Sequence, residues 1–116
     1  MVEQLYRCFV AEENGEIVGV ALLRKVQNFM MPYTSTNNAA ECYIAGVKYK
    51  GRGIGRALRE ARIEEAKKLG FQEIILYSSQ SHSDAWAFHD KSDFKRIGVV
   101  PAPNGEPGVV WRLLLP

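Results

Sequence analysis

Apolar and polar positions alternate imperfectly over Leu5 to Glu12 (LYRCFVAE), a segment rich in strand formers, and Ile17 to Val26 (IVGVALLRKV) reads as a returning strand. Between them, ENGE at 13–16 supplies an Asn-Gly pair that favours a tight turn, so 5–26 reads as a hairpin. Gln27 to Asn38 (QNFMMPYTSTNN) is polar with one proline and reads as a loop. Ala39 to Val47 (AAECYIAGV) is a third strand, with Gly46 weakening its end and pointing to a bulge or a close backbone approach. The period then changes. Ile54, Ala57, Leu58, Ala61 and Leu69 form an apolar stripe at helical spacing, interrupted by Glu65 and with Ile63 off it. Gly70, after Lys67, Lys68 and Leu69, is a helix stop with the charge sign the macrodipole prefers. FQEIILYS (71–78) is a strand, and Asp84 is the expected N-cap of a short helix from Ala85 to Lys91. FKRIGVV (94–100) and GVVWRLLLP (108–116) are closing strands around the turn-rich PAPNGEP. The predicted order is β-β-β-α-β-α-β-β, an α/β domain around a mixed sheet.

With 116 residues and no repeat, linker or low-complexity tract, 1–116 is expected to be one domain. No apolar run suggests a membrane span, and MVEQLYRCFV carries Glu3 where a secretion signal has cations, so a cytoplasmic home is expected. Cys8 and Cys42 lack paired metal spacing and are read as two buried free thiols, with no metal site. A formal charge of +2 does not argue for nucleic acid. The position of the positive charge is more informative than its sum.

In VKYKGRGIGRALREARIEEAKKLG (47–70), a glycine-rich turn joins a strand to a helix, with Lys48, Lys50, Arg52 and Arg56 around it. The first turn of a helix presents unpaired N–H groups and the positive end of the macrodipole. Glycines let that backbone lie against an anion. The alternative is a glycine-rich loop on a solvated basic face. A P-loop run is absent, and a dinucleotide fingerprint starting at Gly51 and Gly53 would need glycine where Arg56 stands.

KGRGIG (50–55) resembles the acyl-CoA-binding signature of the GNAT superfamily of N-acetyltransferases, Gln/Arg-x-x-Gly-x-Gly/Ala, with Lys50 in place of Gln/Arg. FVAEENGEIVGVALL is similar to that family's hairpin, GRGIGRALREARIEEAKKLGF to its signature helix, and AFHDKSDF to its FYEKLGF segment. The resemblance implies a mixed, largely antiparallel sheet flanked by helices, and acetyl-CoA as cosubstrate. It places the diphosphate on the amides of Arg52, Gly53, Ile54, Gly55 and Arg56 beside Lys50, and the pantetheine arm along the main chain of Ala45, Gly46 and Val47.

Acetyl transfer to a primary amine, of a small molecule or a peptide, needs a base for the ammonium proton and a proton donor for the leaving thiolate. The family position implies Glu41 as base; its other reading is an exposed strand glutamate or a partner of Lys25. The alignment puts His89 where the family has its catalytic tyrosine, and a structural histidine is the competing reading. Asp93 replaces a glycine, His82 an asparagine, and Tyr77 is a second donor candidate. A non-catalytic acyl-CoA-binding module of the same fold is the alternative function, and a phosphate-surface or nucleic-acid binder using 48–56 a third. Phe29, Met30, Met31 and Tyr33 are expected on a mobile loop at the acceptor site.

The family usually opens with a strand and two helices ahead of the hairpin. Their absence here implies that Leu5 to Glu12 is an exposed edge strand, to be covered in a homodimer, or that the sequence is a truncated fragment.

Overall fold

The computed structural model describes residues 5–101 and 105–116, without the side chains of Leu5, Tyr6, Ile44 and Ala45. The middle of the predicted PAPNGEP turn lies outside the described residues. The elements are β1 (Leu5–Glu13), β2 (Glu16–Lys25), β3 (Ala39–Val47), α1 (Ile54–Lys68), β4 (Glu73–Ser79), α2 (Trp86–Asp90), β5 (Lys95–Pro101) and β6 (Pro107–Leu114). They form one six-stranded sheet in the order β1-β2-β3-β4-β6-β5, with every pairing antiparallel except β3–β4. The order of elements agrees with the sequence pattern.

The hairpin turn is built as its residues require. Asn14 and Gly15 both have positive φ (52° and 80°), the backbone that matches a two-residue turn to the twist of the flanking strands. β1 is an edge strand.

α1 packs across β1, β2 and β3 through a narrower row than the sequence stripe suggests. Ile54, Leu58, Arg62 and Ala66 are buried, whereas Ala57, Ala61 and Leu69 are exposed. Arg62 belongs to this row because its aliphatic stem is covered, while Nε and Nη1 reach the carbonyls of Leu58 and Leu22, each at 3.4 Å. Glu65 pairs with Arg7 at 2.7 Å, which accounts for its interruption of the stripe. The helix ends in a Schellman-type closure: Gly70 has φ 86°, and Phe71 N donates to the Ala66 carbonyl at 3.0 Å.

Gly19 fixes how close the start of α1 comes to the sheet. A Cβ there would lie 2.8 Å from Ile54 Cγ2 and 3.0 Å from Leu58 Cδ1. The helix therefore rests on bare backbone of β2.

The helix-side core joins Leu23, Ala40, Cys42, Ile74, Leu76, Val109 and Trp111. The opposite face gathers Val26, Met30, Ile75, Val100 and Val110 under the segment 27–38. That segment is not the mobile loop expected. It contains a 3₁₀ helix, Asn28–Tyr33, with Met30 fully buried and the Phe29 ring edge-on to Tyr77 at 5.3 Å. The second helix also differs from expectation. Residues 80–85 form a 3₁₀ run and α2 covers only Trp86–Asp90, with Ala85 rather than Asp84 at its N-cap. Of the two free cysteines, Cys42 is buried and Cys8 exposed.

Candidate functional site

β3 and β4 run side by side only over Ala39–Cys42 and Glu73–Leu76, although both strands continue. Beyond Cys42, β3 keeps its pairing with β2, and beyond Leu76, β4 keeps its pairing with β6, so the two strands splay apart. The register against β2 jumps from Ala21–Ala45 to Leu22–Tyr43, leaving Ile44 as the extra residue of a bulge. The bulge suggested by Gly46 is thus two residues earlier. The main chain of Ala45, Gly46 and Val47 bonds β2 on one side and, among the described residues, has no strand partner on the other.

That edge runs directly into the glycine turn. Gly51 and Gly53 both have φ 78°, a conformation that favours glycine, and Gly53 is the N-cap of α1 with no side-chain cap. The first intrahelical bond is Ala57 N to the Gly53 carbonyl at 3.0 Å, so the amides of Ile54, Gly55 and Arg56 precede it. A Cβ on Gly53 would meet nothing within 4 Å, and one on Gly55 would touch only Phe88 Cζ at 3.6 Å and Val47 Cγ1 at 3.9 Å. Packing therefore does not exclude a side chain at either position. The space over them is free for a ligand, which is what an acyl-CoA diphosphate would require.

The four cations at the turn are not free charges. Lys48 pairs with Glu16, Arg52 with Glu13 at 2.9 Å, Arg56 with Glu60 at 3.2 Å and Lys50 with Asp84 at 3.6 Å. Arg52 also stacks on Tyr49 at 4.8 Å. Exposed pairs of this kind are weak, so an incoming phosphate can take over the cation. Next to the turn, a cleft of about 560 Å³ between α1 and α2 is lined by Arg56, Arg59, Ile63, Phe88 and Phe94. Arg59 lies over the Phe88 ring at 4.5 Å.

Glu41 is neither exposed nor paired with Lys25. Its side chain is buried, and it accepts bonds from Gln27 N at 2.9 Å and Gln27 Nε2 at 2.7 Å. Burial pushes its pKa up, offset in part by those donors and by the Arg24 charge. His89 is half-buried against Trp111, with ring centroids 4.9 Å apart, and its Nδ1 has no hydrogen-bond partner among the described residues. Burial, helped by Arg59 and Arg62, lowers its pKa to about 4, which leaves the ring neutral at pH 7. Ala40 and Cys42 face the helix-side core, so Glu41 faces the other way, while His89 packs on the helix side. The structure thus gathers Val47, Gly53 and Gly55 at one end of the splay and leaves Glu41 and His89 on opposite faces of the sheet. Asp93 is not at positive φ, so its difference from glycine strains nothing here.

Sequence reading missed Phe88, Arg59, Gly19 and the Gln27 bonds to Glu41. Only Gly19 carried a signal, an isolated glycine inside a strand pattern.

Among the described residues no helix is long and apolar enough to cross a membrane, and no group of three metal-ligating side chains is present. A family model described as the acetyltransferase (GNAT) family matches residues 2–94. The chain is 33% identical over 90 residues to mycothiol acetyltransferase of Amycolatopsis mediterranei, covering 76% of this chain and 30% of that protein. It is 27% identical over 95 residues to N-acetyltransferase family 8 member 3 of Rattus norvegicus, covering 80% of this chain and 40% of that protein. The chain therefore spans less than half the length of these relatives. An acetyltransferase structure from Bacillus anthracis, in complex with acetyl coenzyme A, superposes with a TM-score of 0.77 at 22% identity, covering 97% of this chain and 64% of the other. The sheet with its splayed parallel pair, the glycine turn at the head of α1 and the matched residues together place the chain in the GNAT acetyltransferase family.

Proposed function

We propose that this chain binds acetyl-CoA and transfers its acetyl group directly to a primary amine of a small molecule or peptide. One observation carries the reading: the unpartnered edge of β3 at Ala45–Val47 leads straight into the left-handed Gly51–Gly53 turn. The amides from Arg52 to Arg56 hold the diphosphate, with Lys50, Arg52 and Arg56 turning from their carboxylates to it. The cleft beside the turn, where Arg59 lies over the Phe88 ring among the carboxylates Glu60, Glu64 and Asp93, is assigned to the base of the nucleotide portion.

Glu41 takes the amine proton. Its raised pKa makes the carboxylate a stronger base than an ordinary glutamate, and Gln27 fixes its orientation. His89, neutral at pH 7, serves as a hydrogen-bond donor toward the departing sulfur rather than as a cationic acid. On this reading the acetyl group sits in the splay, between the faces that carry Glu41 and His89. The free thiols of Cys8 and Cys42 support a cytoplasmic setting. Exposed Val10 and Ile17 on the edge hairpin support a homodimer formed along β1.

The neutrality of His89 also favours a second reading, a non-catalytic acyl-CoA-binding module. Release of free thiol from acetyl-CoA, followed with a panel of primary amines, separates the two. Amine-dependent release that disappears in Gly53→Glu is expected; acetyl-CoA binding with no release over any amine would favour the module.

A further inference from the structure

A cluster of hydroxyls and an imidazole at the end of β4 is used by none of these roles. Ser79 Oγ lies 3.0 Å from Ser81 Oγ and 3.0 Å from His82 Nδ1, and Ser81 Oγ lies 3.4 Å from the same nitrogen. A serine at an N-cap ordinarily turns its hydroxyl onto an amide two or three residues ahead. Ser79 holds the N-cap of the 80–85 run and makes no such bond; its hydroxyl meets the neighbouring side chains instead. The run is broken at His82 (φ −113°, ψ 28°), and the ring folds back to Ser79. Glu106, just before β6, anchors the cluster: its carboxylate accepts Ser81 N at 2.6 Å, and its carbonyl accepts the Tyr77 hydroxyl at 3.2 Å.

The cluster lies on the β4 arm of the splay, across from the β3 edge assigned to the pantetheine arm. Counted from the last β3–β4 pair, Cys42–Leu76, Ser79 and Ala45 each stand three residues into the splay. Asp84, two residues after His82, meets Lys50 of the glycine turn at 3.6 Å, so the run that carries the cluster reaches the turn.

We infer that Ser79 is itself an acyl acceptor, with His82 as its general base, when no amine occupies the site. The Ser79 Oγ forms the bond to the acetyl carbon as the carbon–sulfur bond breaks. The hydroxyl proton passes to His82 Nδ1 and on to the departing thiolate, giving O-acetyl-Ser79 and free CoA. A serine hydroxyl alone is a weak nucleophile, and an imidazole nitrogen at 3.0 Å is the group that activates it. The inference rests on the acyl-CoA reading of the turn.

The test is intact-mass and peptide-mapping analysis of the chain after incubation with acetyl-CoA alone and an acid quench. Acetyl-CoA binding is measured calorimetrically on the same preparations, and each variant is checked by thermal melt. The expected result is a single acetyl group on Ser79, removed by hydroxylamine as an ester is. It should be absent in Ser79→Ala and formed at least ~10²-fold more slowly in His82→Gln. Binding without modification, acetylation on lysines alone, or an unchanged rate in His82→Gln would overturn the inference. Failure of the wild type to bind acetyl-CoA would remove the cofactor reading first and this inference with it.

Discussion

Two buried carboxylates on neighbouring strands hold the two ends of the same segment, yet their surroundings differ. Glu73 at the start of β4 is fully buried and grips the exit of the 27–38 segment. It accepts the amides of Ser35 and Thr36 at 3.0 and 2.9 Å and both their hydroxyls, with Arg112 Nε 2.9 Å away. Arg112 also donates to the Tyr33 carbonyl at 2.8 Å. Burial alone would raise the Glu73 pKa, but these donors and the cation outweigh it and hold it below the usual carboxylate range. Glu41 grips the entry through the neutral donors of Gln27, and burial wins. A buried carboxylate saturated with donors and a cation is a brace. One with few neutral donors is poised to exchange a proton.

The largest effect that would sharpen this contrast is Glu73→Ala. Removing one partner of a buried charge pair costs about 3–5 kcal/mol and leaves Arg112 and the 35–36 amides unsatisfied. A thermal melt should fall by on the order of 15 °C. A shift of a few degrees would show that the clamp is not a brace. Glu41→Gln should change stability by less than about 1 kcal/mol, since its amide oxygen can still accept from Gln27 N and the Gln27 side-chain amide can turn its oxygen to the new NH2, while acetyl transfer falls by about 10²–10⁴. Equal losses of stability in the two variants would erase the distinction.

The pH dependences should have opposite signs. The lowered pKa of Glu73 gives stability that is complete above the ordinary glutamate value of 4.5 and lost as pH falls through the folded value. The raised pKa of Glu41 means the folded state holds the proton longer, so its contribution declines as pH rises above 4.5. Urea unfolding between pH 3 and pH 8 checks both: Glu41→Gln should gain on the wild type as pH rises, and Glu73→Gln should lose ground. The smallest effect is expected at the turn. Arg52→Ala should alter stability by no more than about 1 kcal/mol while weakening acetyl-CoA binding, because its pair with Glu13 is solvent-exposed.

Local chemistry made much of the fold legible. The Asn14–Gly15 turn, the bounds of β3 and the Gly70 stop each depend on residues a few positions apart, and the sequence pattern places them correctly. The helix stripe misleads because Arg62 is buried by its stem while Ala57 and Ala61 face solvent. A hydrophobic pattern cannot register an arginine that hides its methylenes. The 27–38 segment reads as a loop because its order comes from Glu41 and Glu73, and the contact from Ser35 to Glu73 spans 38 residues of chain. At the site, the glycine turn is legible since positive φ needs particular residues. The opposed faces of Glu41 and His89 follow from strand alternation and from the packing of His89 on Trp111, a contact no local motif contains.

The most direct test of the central claim is calorimetric titration of acetyl-CoA into the wild type and Gly53→Asn. Asparagine tolerates the left-handed backbone, so the fold should persist, but its side chain enters the space over the turn. Micromolar-range binding to the wild type is expected, with its loss in a variant that melts within a few degrees of it. Undiminished binding to the folded variant, or none to the wild type, would contradict it.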